Sequence, residues 1–249
     1  MQLIRLIALI LACKQFYTNV QAAQACEEGG YCSWGKVAKG WRGDINESKQ
    51  LRKMLQDISY KKEIILTHFG GTRSHWMDVV LQLYTEMAHM GYGHFVVLGR
   101  HGRTCDAVGK GAPDANCAWD SSPLHERMFG DTTGEGAQEV LWHLHWRIIA
   151  RVARAGVNIL TLDNDYILFR DPYVHLKRGP FAHHHLLCMH EGGSPINCNA
   201  GFIYVQNVAP DGPVSWVFKR ATEVALRWMD DDFQFLYSLG RMDKHSPHL

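Results

Sequence analysis

Apolar and polar positions alternate along this chain in blocks that read as strands and helices in turn. Ile64 to Thr67 is a short apolar run closed by Gly70 and Gly71, the pattern of a buried strand. Trp76, Val79, Val80, Leu83, Met87 and Met90 then recur at helical spacing, with Ser74 placed to cap the start and Gly91 to stop the end. Phe95 to Leu98 is a second strand. The stretch from Gly99 to Gly136, rich in Gly, Asp and Ser, reads as a long loop. A second helix is predicted from about Ala137 to Ala155: Val140, Leu141, Leu144, Ile148 and Val152 form its inner face, and His143, Arg147, Arg151 and Arg154 line another. It feeds through Gly156 into an apolar run ending at Leu162, which stops at Asp163, Asn164 and Asp165 and resumes at Tyr166 to Phe169. A turn at Asp171 and Pro172, a His-rich loop, a strand from Phe202 to Gln206, and a helix opened by Pro213 and carried by Val217, Phe218, Ala221, Ala225 and Trp228 complete the pattern. Strands alternating with helices predict an α/β fold, a mainly parallel sheet flanked by helices.

Composition narrows the setting. With 249 residues and 46% hydrophobic, the chain carries enough apolar mass for one α/β domain over 63–249, preceded by a polar, Cys-containing entry segment over 26–62. A formal charge of +1, with no block of five like charges, argues against nucleic acid and acidic membrane surfaces as partners. Residues 1–25 read as a signal peptide: Leu3 to Cys13 is an apolar run interrupted only by Arg5 and short of the roughly 20 residues that span a bilayer, and Ala23, Gln24, Ala25 supply a cleavage site. Membrane association follows only if this segment stays as an anchor. Cleavage would leave Cys26, Cys32, Cys105, Cys117, Cys188 and Cys198, an even set suited to an oxidising compartment, and their spacing groups them in that order as three pairs. Asn46 heads a glycosylation sequon in a polar stretch expected to be exposed.

The chemistry concentrates at Asp163 and Asp165. Ionised carboxylates are costly to bury unpaired, so two of them at a strand end imply a cation, a basic partner or an open cleft. Two residues apart in a regular strand, they would share a face and both reach one divalent ion, Mn²⁺ or Mg²⁺. The plain structural alternative has one Asp capping a turn and the other pairing with an arginine such as Arg170. His183, His184, His185 and His190 read as a solvated loop rather than a zinc site, and Trp142 and Trp146 as packing. No GxSxG nucleophile elbow occurs.

The stretch "GVNILTLDNDYILFRDPY", with a helix before it and "NAGFIYVQN" after it, resembles the nucleotide-diphospho-sugar transferase family, glycosyltransferase family 77. That family's pattern is G-x-N-V-L-x-x-D-x-D-V-V-x-x-x-D-P followed by an N-x-G strand. The likeness covers Ile64 to Gln234. It implies a GT-A type, Rossmann-like fold and a metal-dependent glycosyltransferase that moves a sugar from a nucleotide diphosphate, UDP, to a glycan or glycoprotein acceptor with retention, in the Golgi lumen or secreted. By position it implies that Asp163 and Asp165 hold Mn²⁺ or Mg²⁺ and the sugar nucleotide, that Asn199 binds donor or acceptor, and that Gly201 lets backbone approach closely. Thr67 and Arg147 fall where such enzymes grip the nucleotide; Arg147 replaces a family lysine, which changes phosphate geometry. Two departures stand out. Asp232 and Gln234 lie one residue apart instead of adjacent, and the chain ends at Leu249, so a late metal-binding histidine is absent unless His245 or His248 substitutes. Two other readings stay open: a catalytically decayed sugar-nucleotide-binding protein, and a DxD phosphatase, against which Ile167 stands where that class carries Thr or Val.

Overall fold

The computed structural model describes residues 30–70, 74–122, 136–191 and 198–228. Its strands are β1 (Arg42–Asp44), β2 (Glu63–Phe69), β3 (Phe95–Gly99), β4 (Asn116–Trp119), β5 (Asn158–Leu162), β6 (Leu186–His190) and β7 (Cys198–Val205). The helices are α1 (Ser48–Ile58), α2 (Ser74–His89), α3 (Gly102–Gly111), α4 (Gly136–Arg154), α5 (Pro172–Leu176) and α6 (Pro213–Trp228), with a 3₁₀ turn at Gly179–His183.

Seven strands form one sheet in the order β1-β4-β3-β2-β5-β7-β6. β1, β4, β3, β2 and β5 are parallel, β7 runs against β5, and β6 against β7. The chain is thus α/β with a mostly parallel sheet flanked by helices. From β2 it steps through β3 to β4 towards one edge, and α4 then carries it back to β5 on the far side of β2. That reversal makes the boundary between β2 and β5 a topological switch point, where the carboxyl ends of strands leave a crevice.

Strand alternation sorts the core into two layers. Ile64, Leu66, Ile159, Ile203 and Val205 face a cluster built with Met54 and Ile58 of α1, Leu144 and Ile148 of α4, and Phe218 of α6. Ile65, Phe69, Leu160 and Leu162 face the other, with Leu83 and Met87 of α2, Val108 of α3 and Tyr173 of α5. Trp146 is 2% exposed and stacks on Phe218 at 5.8 Å, so it packs α4 on α6.

Four expectations change. The stretch read as one long loop contains α3 and β4, tied by a Cys105–Cys117 disulfide. Three glycines dilute the apolar face of α3, and β4 has four residues, too few for an alternation to register. The entry segment supplies β1, which pairs with β4, and α1, which buries Leu51, Met54, Leu55 and Ile58. The His-rich loop ends in β6, joined to β7 by a Cys188–Cys198 disulfide. Tyr166 to Phe169 forms no strand: Ile167 is exposed and Phe169 is 90% exposed. The pair of Cys26 with Cys32, residues 1–25, Gly71, Asp232, Gln234, His245 and His248 fall outside the described residues. No described helix is long and apolar enough to cross a membrane.

Candidate functional site

β5 ends at Leu162, and Asn164 and Asp165 form a turn rather than further strand. The expected shared face of Asp163 and Asp165 therefore does not arise, because strand geometry has ended before the second carboxylate. Asp163 alone stays in register: its N–H donates to the Gly201 carbonyl at 2.8 Å, extending the β5–β7 ladder by one step. Asp165 is carried out on the turn and is exposed.

β7 runs antiparallel, so its first residues lie beside the last of β5. This brings Asn199 and Gly201 to Asp163 although they are far apart in sequence. Asn199 Oδ1 accepts from the Gly201 N–H at 2.8 Å and lies 3.5 Å from the Tyr166 hydroxyl. A Cβ on Gly201 would sit 2.8 Å from the Asp163 carboxyl carbon, closer still to Oδ2, and 2.9 Å from Asn199 Oδ1. Glycine is needed here because two side-chain oxygens converge over its Cα.

The opposite flank comes from β2. His68 alternates with Leu66 onto the face that Asp163 shares, and its Nε2 lies 3.9 Å from Asp163 Oδ1. That is beyond hydrogen-bond range. Behind it stands His145 of α4, 4% exposed, with the two rings 4.9 Å apart. His68 Nδ1 and His145 Nε2 are buried without hydrogen-bond partners among the described residues. Gly70 lets α4 reach this place, since any Cβ there would collide with Leu141.

Electrostatics follow from the packing. Burial, aided by the nearby Asp165 charge, raises Asp163 to about 6. Burial lowers His68 to about 4, against the pull of Asp165, and, with help from His68, holds His145 well below the usual imidazole range. Near neutral pH both imidazoles are neutral, the form that offers a lone pair to a cation.

No protein-family model matches the chain, and no curated protein matches it significantly.

The remaining candidates sit elsewhere. Thr67 is 1% exposed, two residues short of the end of β2 and on the opposite face from Asp163; its Oγ1 has no hydrogen-bond partner among the described residues. Arg147 donates from Nε to Asp120 Oδ2 at 2.9 Å and from Nη2 to Asn46 Oδ1 at 3.3 Å. Arg151 shares the same Asp120 oxygen at 3.1 Å and donates to the Asn46 carbonyl at 2.7 Å. With the Asp120 side chain fully enclosed, Arg147 is engaged in a buried ion network rather than presented to a phosphate. The same network half-buries Asn46, so the sequon is not the freely exposed site its polar neighbours suggested. Asp171 caps α5, accepting from the Tyr173 N–H at 2.8 Å with Pro172 opening the helix. His183, His184 and His185 are exposed.

His68 was missed by sequence reasoning. The signal was present: in a strand alternating Ile64, Leu66, His68 on one face, a polar side chain follows two apolar ones at the carboxyl end. Among the described residues no three His, Cys, Asp or Glu side chains form a ready cage for a metal ion. The His68 imidazole and the Asp163 carboxylate face one another across 3.9 Å, and the Asn199 amide oxygen meets the other edge of that carboxylate over the Gly201 Cα. Nitrogen and oxygen donors of this kind suit a divalent ion such as Mn²⁺ or Mg²⁺.

Proposed function

We propose that this chain is a glycosyltransferase of GT-A type, similar to the nucleotide-diphospho-sugar transferases, that moves a sugar from UDP to a glycan or glycoprotein acceptor with retention in the secretory pathway. The observation that carries the reading is the convergence of Asp163, Asn199 and Gly201 at the carboxyl end of β5, beside the switch point where nucleotides bind in α/β sheets. Those are three of the positions at which the "LDNDYILFRDPY" and "NAG" segments resemble the family.

In this reading Asp163 would hold Mn²⁺ or Mg²⁺ at the mouth of the crevice, where such an ion would supply positive charge to a diphosphate leaving group. Asn199 orients the donor sugar through its amide, whose oxygen is fixed by the Gly201 N–H. Gly201 keeps the floor of the site at backbone level. His68 and His145 wall the crevice towards α4.

The test is UDP binding by isothermal calorimetry with and without Mn²⁺. The reading requires affinity that depends on Mn²⁺ and is lost in Asp163→Ala. Equal UDP affinity in the presence and absence of Mn²⁺, or wild-type affinity in Asp163→Ala, would overturn it. A thermal-shift screen of UDP-sugars with Mn²⁺ then selects the donor.

A further inference from the structure

The DxD spacing assigns the cation to Asp163 and Asp165, yet the turn at Asn164 separates them, while His68 stands across from Asp163 on the same face of the sheet. We infer that the cation site is completed by the His68 imidazole, with the ion held between His68 Nε2, the Asp163 carboxylate and Asn199 Oδ1, and with Asp165 reaching it only through water. This rests on the proposed metal dependence and names the ligands that serve it.

The 3.9 Å between His68 Nε2 and Asp163 Oδ1 fits a metal better than a proton. A hydrogen bond needs about 3.2 Å or less. Adjacent donors each about 2.0–2.2 Å from one octahedral ion lie about 3 Å apart, so a single cation bridges this gap once the two side chains draw together by under about an ångström. The carboxylate is also oriented for it: Oδ1 faces His68, while Oδ2 faces the Gly201 Cα, over which Asn199 Oδ1 also sits. His68 is held in place by the His145 ring behind it, itself packed on Trp146 at 5.5 Å. His145 Nε2, buried and unpartnered among the described residues, adds a polar atom to this wall beside an apolar core. An imidazole ligand also favours Mn²⁺ over Mg²⁺, which prefers oxygen.

The experiment reads the ligand directly from the electron spin echo of bound Mn²⁺, in which a coordinated imidazole nitrogen leaves a modulation that shifts when histidine carries heavy nitrogen. The expected result is modulation in the wild-type chain, unchanged in a His245→Ala/His248→Ala variant and lost in His68→Gln. Glutamine keeps a polar side chain of similar reach at the buried position, so the fold survives while the nitrogen ligand is removed; Mn²⁺ affinity should fall by roughly tenfold or more. Asp165→Asn should leave the modulation intact. Bound Mn²⁺ without nitrogen modulation, or modulation that persists in His68→Gln, would overturn the inference and leave the proposed metal dependence standing. Absence of Mn²⁺ binding in the wild-type chain would overturn both.

Discussion

Replacing Gly201 by alanine adds one methyl group where two oxygens already converge. The backbone there is regular strand, so alanine meets no conformational penalty and the effect is steric. Ordinary van der Waals contact begins near 3.4 Å, but the new Cβ would stand 2.8 Å from the Asp163 carboxyl carbon and 2.9 Å from Asn199 Oδ1. The carboxylate must therefore withdraw by roughly half an ångström or more. Its side chain is 43% exposed and can turn outwards, so the cost in stability is small, about 1 kcal/mol, at the low end for overpacking. For a domain of this size that corresponds to a Tm lowered by about 2–4 °C. Binding should suffer far more, because displacement of an aligned group by about an ångström costs up to roughly a hundredfold. Calorimetric titration of UDP in the presence of Mn²⁺ should show affinity reduced at least about tenfold, alongside a nearly native melting curve. Wild-type UDP affinity in Gly201→Ala would refute the placement of Asp163 against Gly201. A Tm collapse exceeding about 10 °C would refute the claim that the carboxylate is free to yield.

Two further perturbations separate fold from site. Asp120→Ala strips the shared partner from Arg147 and Arg151, leaving two half-buried guanidinium groups without their carboxylate, and should cost about 3–5 kcal/mol in urea denaturation; Arg147→Lys, which loses the second contact to Asn46, should lower stability yet leave Mn²⁺-dependent UDP affinity within about twofold, and a tenfold loss of affinity without loss of stability would return Arg147 to the binding site. Stability should also fall as pH drops below about 6.5, because burial holds His68 at about 4 and His94 at about 3, so the unfolded chain takes up protons that the folded chain refuses. Each such histidine contributes a slope of about 1.4 kcal/mol per pH unit between its unfolded and folded values. Asp163, raised to about 6, and Glu63, raised by burial, oppose this, since their folded forms hold protons longer than the unfolded chain does. Their share is smaller for Asp163, whose exposure lets solvent screen it. His94→Gln, retaining hydrogen-bonding capacity toward Ser33 and Tyr173, should flatten the acid limb measured between pH 6.5 and 4.5; an unchanged slope would refute the assignment.

What was legible in the sequence was whatever burial had written into periodicity. Ile64 to Thr67, Phe95 to Leu98 and the run ending at Leu162 are central strands covered on both faces; their apolar runs mark β3 and β5 to within a residue and the middle of β2, whose ends at Glu63 and at His68 and Phe69 lie beyond the run. β1, with the sequence RGD, and β6, with exposed Leu186 and Met189, left no such mark: edge strands are specified by backbone pairing with a neighbour, and pairing with Cys117 or Tyr204 across a long stretch of chain has no local signature. The same reason divides the site. Asp163 was visible as a charge ending an apolar run, and Asn199 and Gly201 through their likeness to a known pattern, but the register that sets Phe202 against Leu162, and so Gly201 against Asp163, is a long-range fact. Arg147 looked available because Asp120, its partner, sits at the end of a strand too short to be recognised.

α4 links these observations. One of its faces brings Leu141 against Gly70 and His145 against His68, setting the wall of the crevice at the end of β2. Another pins Arg147 and Arg151 to Asp120 and Asn46, at the ends of β4 and β1. A third packs Trp146 on Phe218 of α6. Because these anchors are side chains on one rigid helix, a shift of α4 along its axis would have to break the buried ion network before His68 lost its backing, and the network is the costlier of the two to break. Arg147, which falls where the resembled enzymes grip the nucleotide, thus bears on the proposed site at one remove: with Arg151 it fixes α4, which carries His145 to His68 opposite Asp163.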